Sequence, residues 1–217
     1  MKKGIFILVL LTGISTIQIT AQEKPAYNPN QIRTLAGNQN ISNGFYAGLK
    51  FGYTPIEHTD AFVTGVRLAW VINHRLALGI AGSTYFSGYD QYNELPDDNF
   101  YLAGGQAGLY LEPIFFATSP IHFSLPITLG AGGIYAWNET WGSELDPPYS
   151  YHDDWDIYFV VEPGIELDIN VVRFMRLSFG ATYRLTDDIA INGLNVPIGK
   201  GALRNFSGYF AIKFGKF

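Results

Sequence analysis

The chain has 217 residues, no cysteine, a formal charge of −5, 16% aromatic and 15% charged residues. A soluble domain carries about a quarter charged residues and a nucleic-acid binder a basic excess, so this composition argues against the first and excludes the second. Without cysteine there is neither a disulfide framework nor a cysteine-borne acyl anchor.

Lys2 and Lys3 precede an apolar run from Ile5 to Leu11, and Thr20-Ala21-Gln22 offers a small-residue cleavage point. That run is too short to cross a bilayer as a helix, so residues 1–21 read as a signal peptide removed after Ala21. Once Lys2 and Lys3 leave, 12 basic residues face 19 acidic ones, a balance of −7. Residues 22–43 are polar, with Pro25, Pro29 and no sustained period, and read as a flexible leader. Residues 44–217 are then the single folded domain.

Eight stretches in that domain alternate with period two, the signature of strands. The first, Phe45–Thr54, sets Phe45, Ala47, Leu49, Phe51 and Tyr53 against Tyr46, Gly48, Lys50 and Gly52. Ala61–Ile72 sets Phe62, Val66, Leu68 and Trp70 against Gly65 and Arg67; Leu76–Phe86 sets Leu78, Ile80 and Phe86 against Gly79, Ala81 and Ser83. Phe100–Phe115 opposes Leu109 and Leu111 to Gln106, Tyr110 and Glu112, and Ile121–Trp137 opposes Phe123, Leu125 and Leu129 to His122, Ser124 and Thr128. The sixth alternates Trp155 through Ile169 with Asp156, Tyr158, Glu162, Glu166 and Asp168. The seventh alternates Met175 through Leu185 with Arg176, Ser178, Gly180, Thr182 and Arg184, and the eighth sets Phe206, Phe210, Ile212 and Phe214 against Ser207, Tyr209 and Lys213.

The polar face is mostly Gly, Ser, Ala and Thr, which suits the narrow interior of an eight-stranded barrel. A water-facing sheet would carry many Lys and Glu instead. Aromatics gather near both strand ends: Trp70, Phe123, Phe174 and Phe214 at one, Tyr53, Phe62, Tyr101, Trp137 and Trp155 at the other. Those are the two girdles of a barrel whose apolar face meets lipid. Tight links fall at Asn73–Arg75, Ala117–Pro120 and Asn170–Arg173; Ser87–Asn99, Asn138–Asp153 and Thr186–Arg204 are long, and Pro55–Asp60 is intermediate. The expected fold is all-β: a single antiparallel up-and-down transmembrane barrel of eight strands, with short turns at one end and longer loops at the other.

With these strands and the terminal run Tyr209-Phe210-Ala211-Ile212-Lys213-Phe214-Gly215-Lys216-Phe217, the chain resembles the small outer-membrane β-barrel proteins of Gram-negative bacteria, the eight-stranded porin-like family. The resemblance implies an outer-membrane location, lipid and lipopolysaccharide around the barrel, periplasmic turns, external loops and a periplasmic leader. It also implies a C-terminal signal read by the barrel assembly machinery. That signal would comprise Phe210, Ile212, Phe214 and Phe217, although Phe217 is out of step with the apolar parity of the other three. The implied role is a monomeric structural or surface-interaction scaffold; a narrow solute pore and a lipid A-modifying enzyme are the alternatives.

Charges on the inward face, Lys50, Arg67, Arg176 and Arg184 with Glu112, Asp156, Glu162, Glu166 and Asp168, are expected to pair across the lumen and fill it, because a buried charge without a partner is costly. In the hairpin of the sixth and seventh strands, Arg176 is expected opposite Glu166, or opposite Asp168 for a longer turn. His122-Phe123-Ser124 resembles the His-x-Ser pair of lipid A deacylase barrels, but it follows a tight turn on the inward face, so no catalytic residue is assigned. His58, His74 and His152 have no second ligand at metal spacing, and no metal or cofactor is expected. Thirteen of the 19 acids lie in the proposed loops, among them Glu57, Asp60, Asp90, Asp153, Asp154, Asp187 and Asp188, beside Tyr89, Tyr92, Trp141, Tyr149 and Tyr151. They read as a solvated anionic surface able to meet a protein or glycan partner.

Overall fold

The computed structural model describes residues 42–56, 59–87, 100–138, 153–191 and 199–217. The expected signal peptide and nearly all of the leader, with most of the loops, lie outside the described residues. The described residues form ten strand segments: β1 Asn43–Ile56, β2 Thr59–Ile72, β3 Leu76–Ser87, β4 Phe100–Phe115, β5 Ile121–Ser124, β6 Ile127–Asn138, β7 Asp153–Val172, β8 Met175–Tyr183, β9 Leu185–Thr186 and β10 Phe206–Lys216. Every neighbouring pair is antiparallel, and β10 returns to β1 from Phe45↔Lys216 to Tyr53↔Gly208. The ring therefore closes, which removes the open sheet edges that a bilayer would not tolerate.

Eight strands make the ring because two of them are written in two pieces. Leu111 pairs Ile127 and Ile114 pairs Ser124, so β5 and β6 hold one register against β4 with no residue inserted. The break falls at Pro126, which has no N–H to give to the ladder; the neighbouring Leu125 N–H still donates to the Pro113 carbonyl at 3.0 Å. β8 and β9 are likewise one strand, bridged where the Arg184 N–H donates to the Asn205 carbonyl at 3.0 Å.

The turns differ in detail from the sequence expectation. β2 and β3 join through Asn73 and His74, both with positive φ (53° and 59°), and the Arg75 N–H donates to the Ile72 carbonyl at 3.1 Å. Positive φ at both central residues is the primed turn that matches strand twist, and Asn accepts it readily. The first link is shorter than expected. Pro55 pairs Asp60 and Ile56 pairs Thr59, which leaves only residues 57–58 between β1 and β2. Asp60, Asp153 and Asp154 accordingly belong to strands and not to loops.

The two faces separate cleanly. Phe159, Leu109, Ile157 and Trp155 are exposed on the outer wall, as are Phe45, Trp70, Phe123, Phe174 and Phe214 near the turn end and Tyr53 and Phe62 near the loop end. Tyr46, Lys50, Arg67, Glu112, Glu162, Glu166, Asp168 and Lys213 are buried inside. The outer wall is thus predominantly apolar and the charged groups are collected in the lumen, an inversion that lipid stabilises and water does not.

Candidate functional site

Strand alternation collects charge in the lumen, and the contents of the lumen stack in levels along the barrel. At the loop end the filling is apolar. Ile56, Val63, Leu102, Ile134 and Val160 of the wall pack with Ile189, Ile191, Ala202 and Leu203 of the segment that follows β9. Its described residues, 187–191 and 199–205, enter the barrel mouth and are tied there: the Ala190 N–H donates to Asp156 Oδ2 at 2.6 Å, and the Arg204 Nε to the Thr186 carbonyl at 2.9 Å. Beneath it the hydroxyls of Tyr85 and Tyr158 meet at 3.1 Å.

The next level centres on Glu162. Its carboxylate accepts from Lys50 Nζ at 3.2 Å, Arg184 Nε at 3.3 Å, Gln106 Nε2 at 2.5 Å and Thr182 Oγ1 at 3.1 Å. An internal cavity of about 10 Å³ lies among these groups, room for about a single water molecule. Below it Glu166 accepts from Arg67, from Lys213 Nζ at 2.6 Å and from the Tyr209 hydroxyl at 2.7 Å. The Arg67 guanidinium lies 5.2 Å from the ring centres of Tyr110 and Tyr209, so aromatic faces shield what the carboxylate does not hold.

Lys213 is the hub of the third level. Its ammonium donates to Glu112 at 2.6 Å, Glu166 at 2.6 Å and Asp168 at 3.0 Å, which uses all three of its protons. Tyr46 donates to Glu112 at 2.5 Å, and Ser178 to Asp168 at 2.5 Å. These three carboxylates stand within 4.8 Å of one another, a donor set of the sort that holds a metal ion. Here the tethered ammonium of Lys213 fills that position.

At the turn end the pattern changes. Arg176 is buried, its guanidinium lies 3.8 Å from the Phe217 ring centre, and its Nε has no hydrogen-bond partner among the described residues. Phe217 in turn stacks on Tyr46 at 5.6 Å. The expected pairing of Arg176 with Glu166 or Asp168 is corrected: Arg176 opposes Asn170, while Asp168 opposes Ser178 and Glu166 opposes Gly180. The turn is tighter than assumed, with a bulge between Asn170 and Val172, and so Arg176 drops below the carboxylates.

Of the lumen charges read from the sequence, Lys50, Arg67, Arg184, Glu112, Glu162, Glu166 and Asp168 enter the network. Arg176 and Asp156 do not. Asp156 turns to backbone N–H groups of Ile157 and Ala190. Sequence reasoning missed Lys213 as the hub, although it lies on the inward parity of its strand, and also Tyr46, Gln106 and Tyr209. Phe210 and Phe214 of the assembly segment point outward, Phe210 stacking on Phe51 at 5.5 Å, Ile212 is half-buried beside them, and Phe217 turns inward.

His122 and Ser124 share the inward face without forming a nucleophile–base pair. Ser124 Oγ lies 2.8 Å from both Glu112 and Asp168, while His122 Nε2 approaches Asp168 at 3.9 Å and neither of its ring nitrogens has a hydrogen bond among the described residues.

A closed eight-stranded antiparallel ring, apolar outside and charged within, is the fold of the eight-stranded outer-membrane β-barrels. Neisserial surface protein A is similar at 16% identity and a TM-score of 0.50, over 82% of this chain and 100% of that one. The N-terminal β-barrel domain of Pseudomonas aeruginosa OprF (9%, TM-score 0.41, 81% and 99% covered) and Ail, the attachment invasion locus protein of Yersinia pestis (13%, TM-score 0.39, 80% and 97% covered), also match. No protein-family model and no curated protein sequence matches the chain.

Proposed function

We propose that this chain is exported by a cleaved signal peptide and resides in the outer membrane as a monomeric structural or surface-interaction scaffold. In this reading it is neither an open pore nor an enzyme. The observation that carries the reading is the lumen: ion pairs on Glu162, Glu166 and Lys213 cross it, and Ile189, Ile191 and Leu203 stop its mouth. An ion entering such a core must displace paired charges from their partners, a cost of several kcal/mol per ion. The turn end then faces the periplasm and the long loops face outward, where acids and aromatics offer recognition material for a protein or glycan. Lipopolysaccharide would contact the outer wall, and the assembly machinery would read Phe210, Ile212 and Phe214.

Planar-bilayer recording of the refolded mature chain tests this. The expected trace is a quiet baseline with at most rare, brief openings; steady single-channel steps that scale with salt would replace the scaffold with a pore. Folding only in detergent or lipid, read as heat-modifiable gel migration, is expected alongside. A monodisperse β-rich protein in plain buffer would overturn the membrane assignment.

A further inference from the structure

At the turn end the barrel floor opens into a pocket of about 580 Å³ framed by three of the turns and the end of β10. Arg176 forms its buried wall, His74, Arg173 and Lys216 its rim, and Val172 and Phe217 its apolar side. The turns Asn73–Arg75, Phe116–Pro120 and Arg173–Phe174 contain no Asp or Glu, so their charged side chains are all basic. Asp168, on the strand beside Arg176, is already committed to Lys213, Ser124 and Ser178.

Arg176 is the telling group. A buried guanidinium ordinarily ends on a carboxylate, as Arg67 does on Glu166. Arg176 has an aromatic face at 3.8 Å and no ion pair among the described residues. Stacking uses the π-face of a guanidinium and leaves its in-plane N–H groups free to grip two oxygens of one anion. The floor is built as well as charged: Asn170 Nδ2 donates to the carbonyls of Ala117 (3.2 Å) and Ser119 (2.8 Å), which fixes one turn beside another.

We infer that this floor pocket is an oxyanion-binding site, with Arg176 as its anchor, Arg173 and Lys216 as its cationic rim and the His74 imidazole beside them. The ligand chemistry is a carboxylate or a phosphate presented from the turn side, with room in the pocket for the apolar group that carries it. In the orientation proposed above the site opens to the periplasm, but binding itself does not depend on that orientation.

The test uses the full mature chain refolded in a maltoside detergent, titrated separately with inorganic phosphate and with N-acetylglycylglycine as a peptide carboxylate. The readouts are the Arg176 Nε–Hε resonance and calorimetry. Saturable binding of either anion that shifts Arg176 supports the site, and the preferred anion identifies the source. Arg176→Gln should weaken binding about tenfold or more, since it removes the buried charge, whereas rim charges contribute less each. The double variant Arg173→Gln/Lys216→Gln should weaken it several-fold and keep the fold, so the result stands even if Arg176→Gln does not fold. Arg75→Gln, a cation of the same turn as His74 that does not line the pocket, should change nothing. Absence of saturation with both anions, or an equal loss in Arg75→Gln, overturns the site. An open channel in the bilayer experiment would remove the scaffold reading and leave this one standing.

Discussion

The two cations Lys213 and Arg176 stand opposite one another on paired strands, inside the same barrel, and meet different fates. Lys213 has three carboxylates within 3.0 Å, while Arg176 has an aromatic ring and an open pocket. Both are nearly sealed from solvent, so burial does not distinguish them. The groups that their side chains reach do. Lys213 falls where β4 and β7 both present acids, and Arg176 falls beside Asn170, below the last carboxylate. A saturated buried cation holds strands together; one without a partner is available to something else.

The hub should break hardest. Lys213→Met leaves Glu112, Glu166 and Asp168 buried without their common cation, and a loss of about 3–5 kcal/mol is expected. Urea unfolding in lipid vesicles measures it, and the same assay on Arg176→Met should give a clearly smaller loss. Equal losses would erase the distinction between the two cations. The outer wall gives the next effect. Leu167, flanked by Phe123 and Phe179, faces outward, and Leu167→Arg should cost roughly 2–4 kcal/mol in vesicles by placing a charge in lipid. A neutral result would mean that this face does not meet lipid.

The mouth should matter less to stability than the hub. Ile189→Ala opens a void in the apolar cap, and about 2 kcal/mol is expected because the surrounding loop segment can partly collapse. Bilayer recordings of the same variant should stay quiet, since the Glu162 and Lys213 levels still cross the lumen; new conductance would place the block in the cap instead. The smallest effect belongs to Asp188→Asn. Its ion pair with Arg204 at 2.5 Å is solvent-exposed, and a loss below about 1 kcal/mol is expected from thermal unfolding in detergent.

How much of this was legible in the sequence varies with the kind of interaction. The outward faces of β1, β7 and β10 could be read from alternation alone, because a strand fixes the side of every residue once one is known. The inward position of Phe217 follows from the same rule. The floor pocket was not legible: it needs His74, Arg173, Arg176 and Lys216, which sit on separate links and strand ends, to be gathered by closure.

The period-two pattern by itself determined the strand count, which face is apolar, and that Lys50, Arg67, Glu162 and Glu166 share an interior. Only the tertiary structure decided who pairs with whom. Alternation assigns a side chain to a face but not to a height. Height comes from register, which the bulge between Asn170 and Val172 sets for Arg176 and the unbroken ladder through Pro126 sets for Ser124. Closure of β10 on β1 then carries Lys213 to carboxylates 101 and 47 residues away in the chain, and the segment after β9 folds into the mouth because Ile189, Ile191 and Leu203 find apolar cover there. Distances of that length in sequence leave no local signal, since the free energy that selects them exists only once the ring is closed.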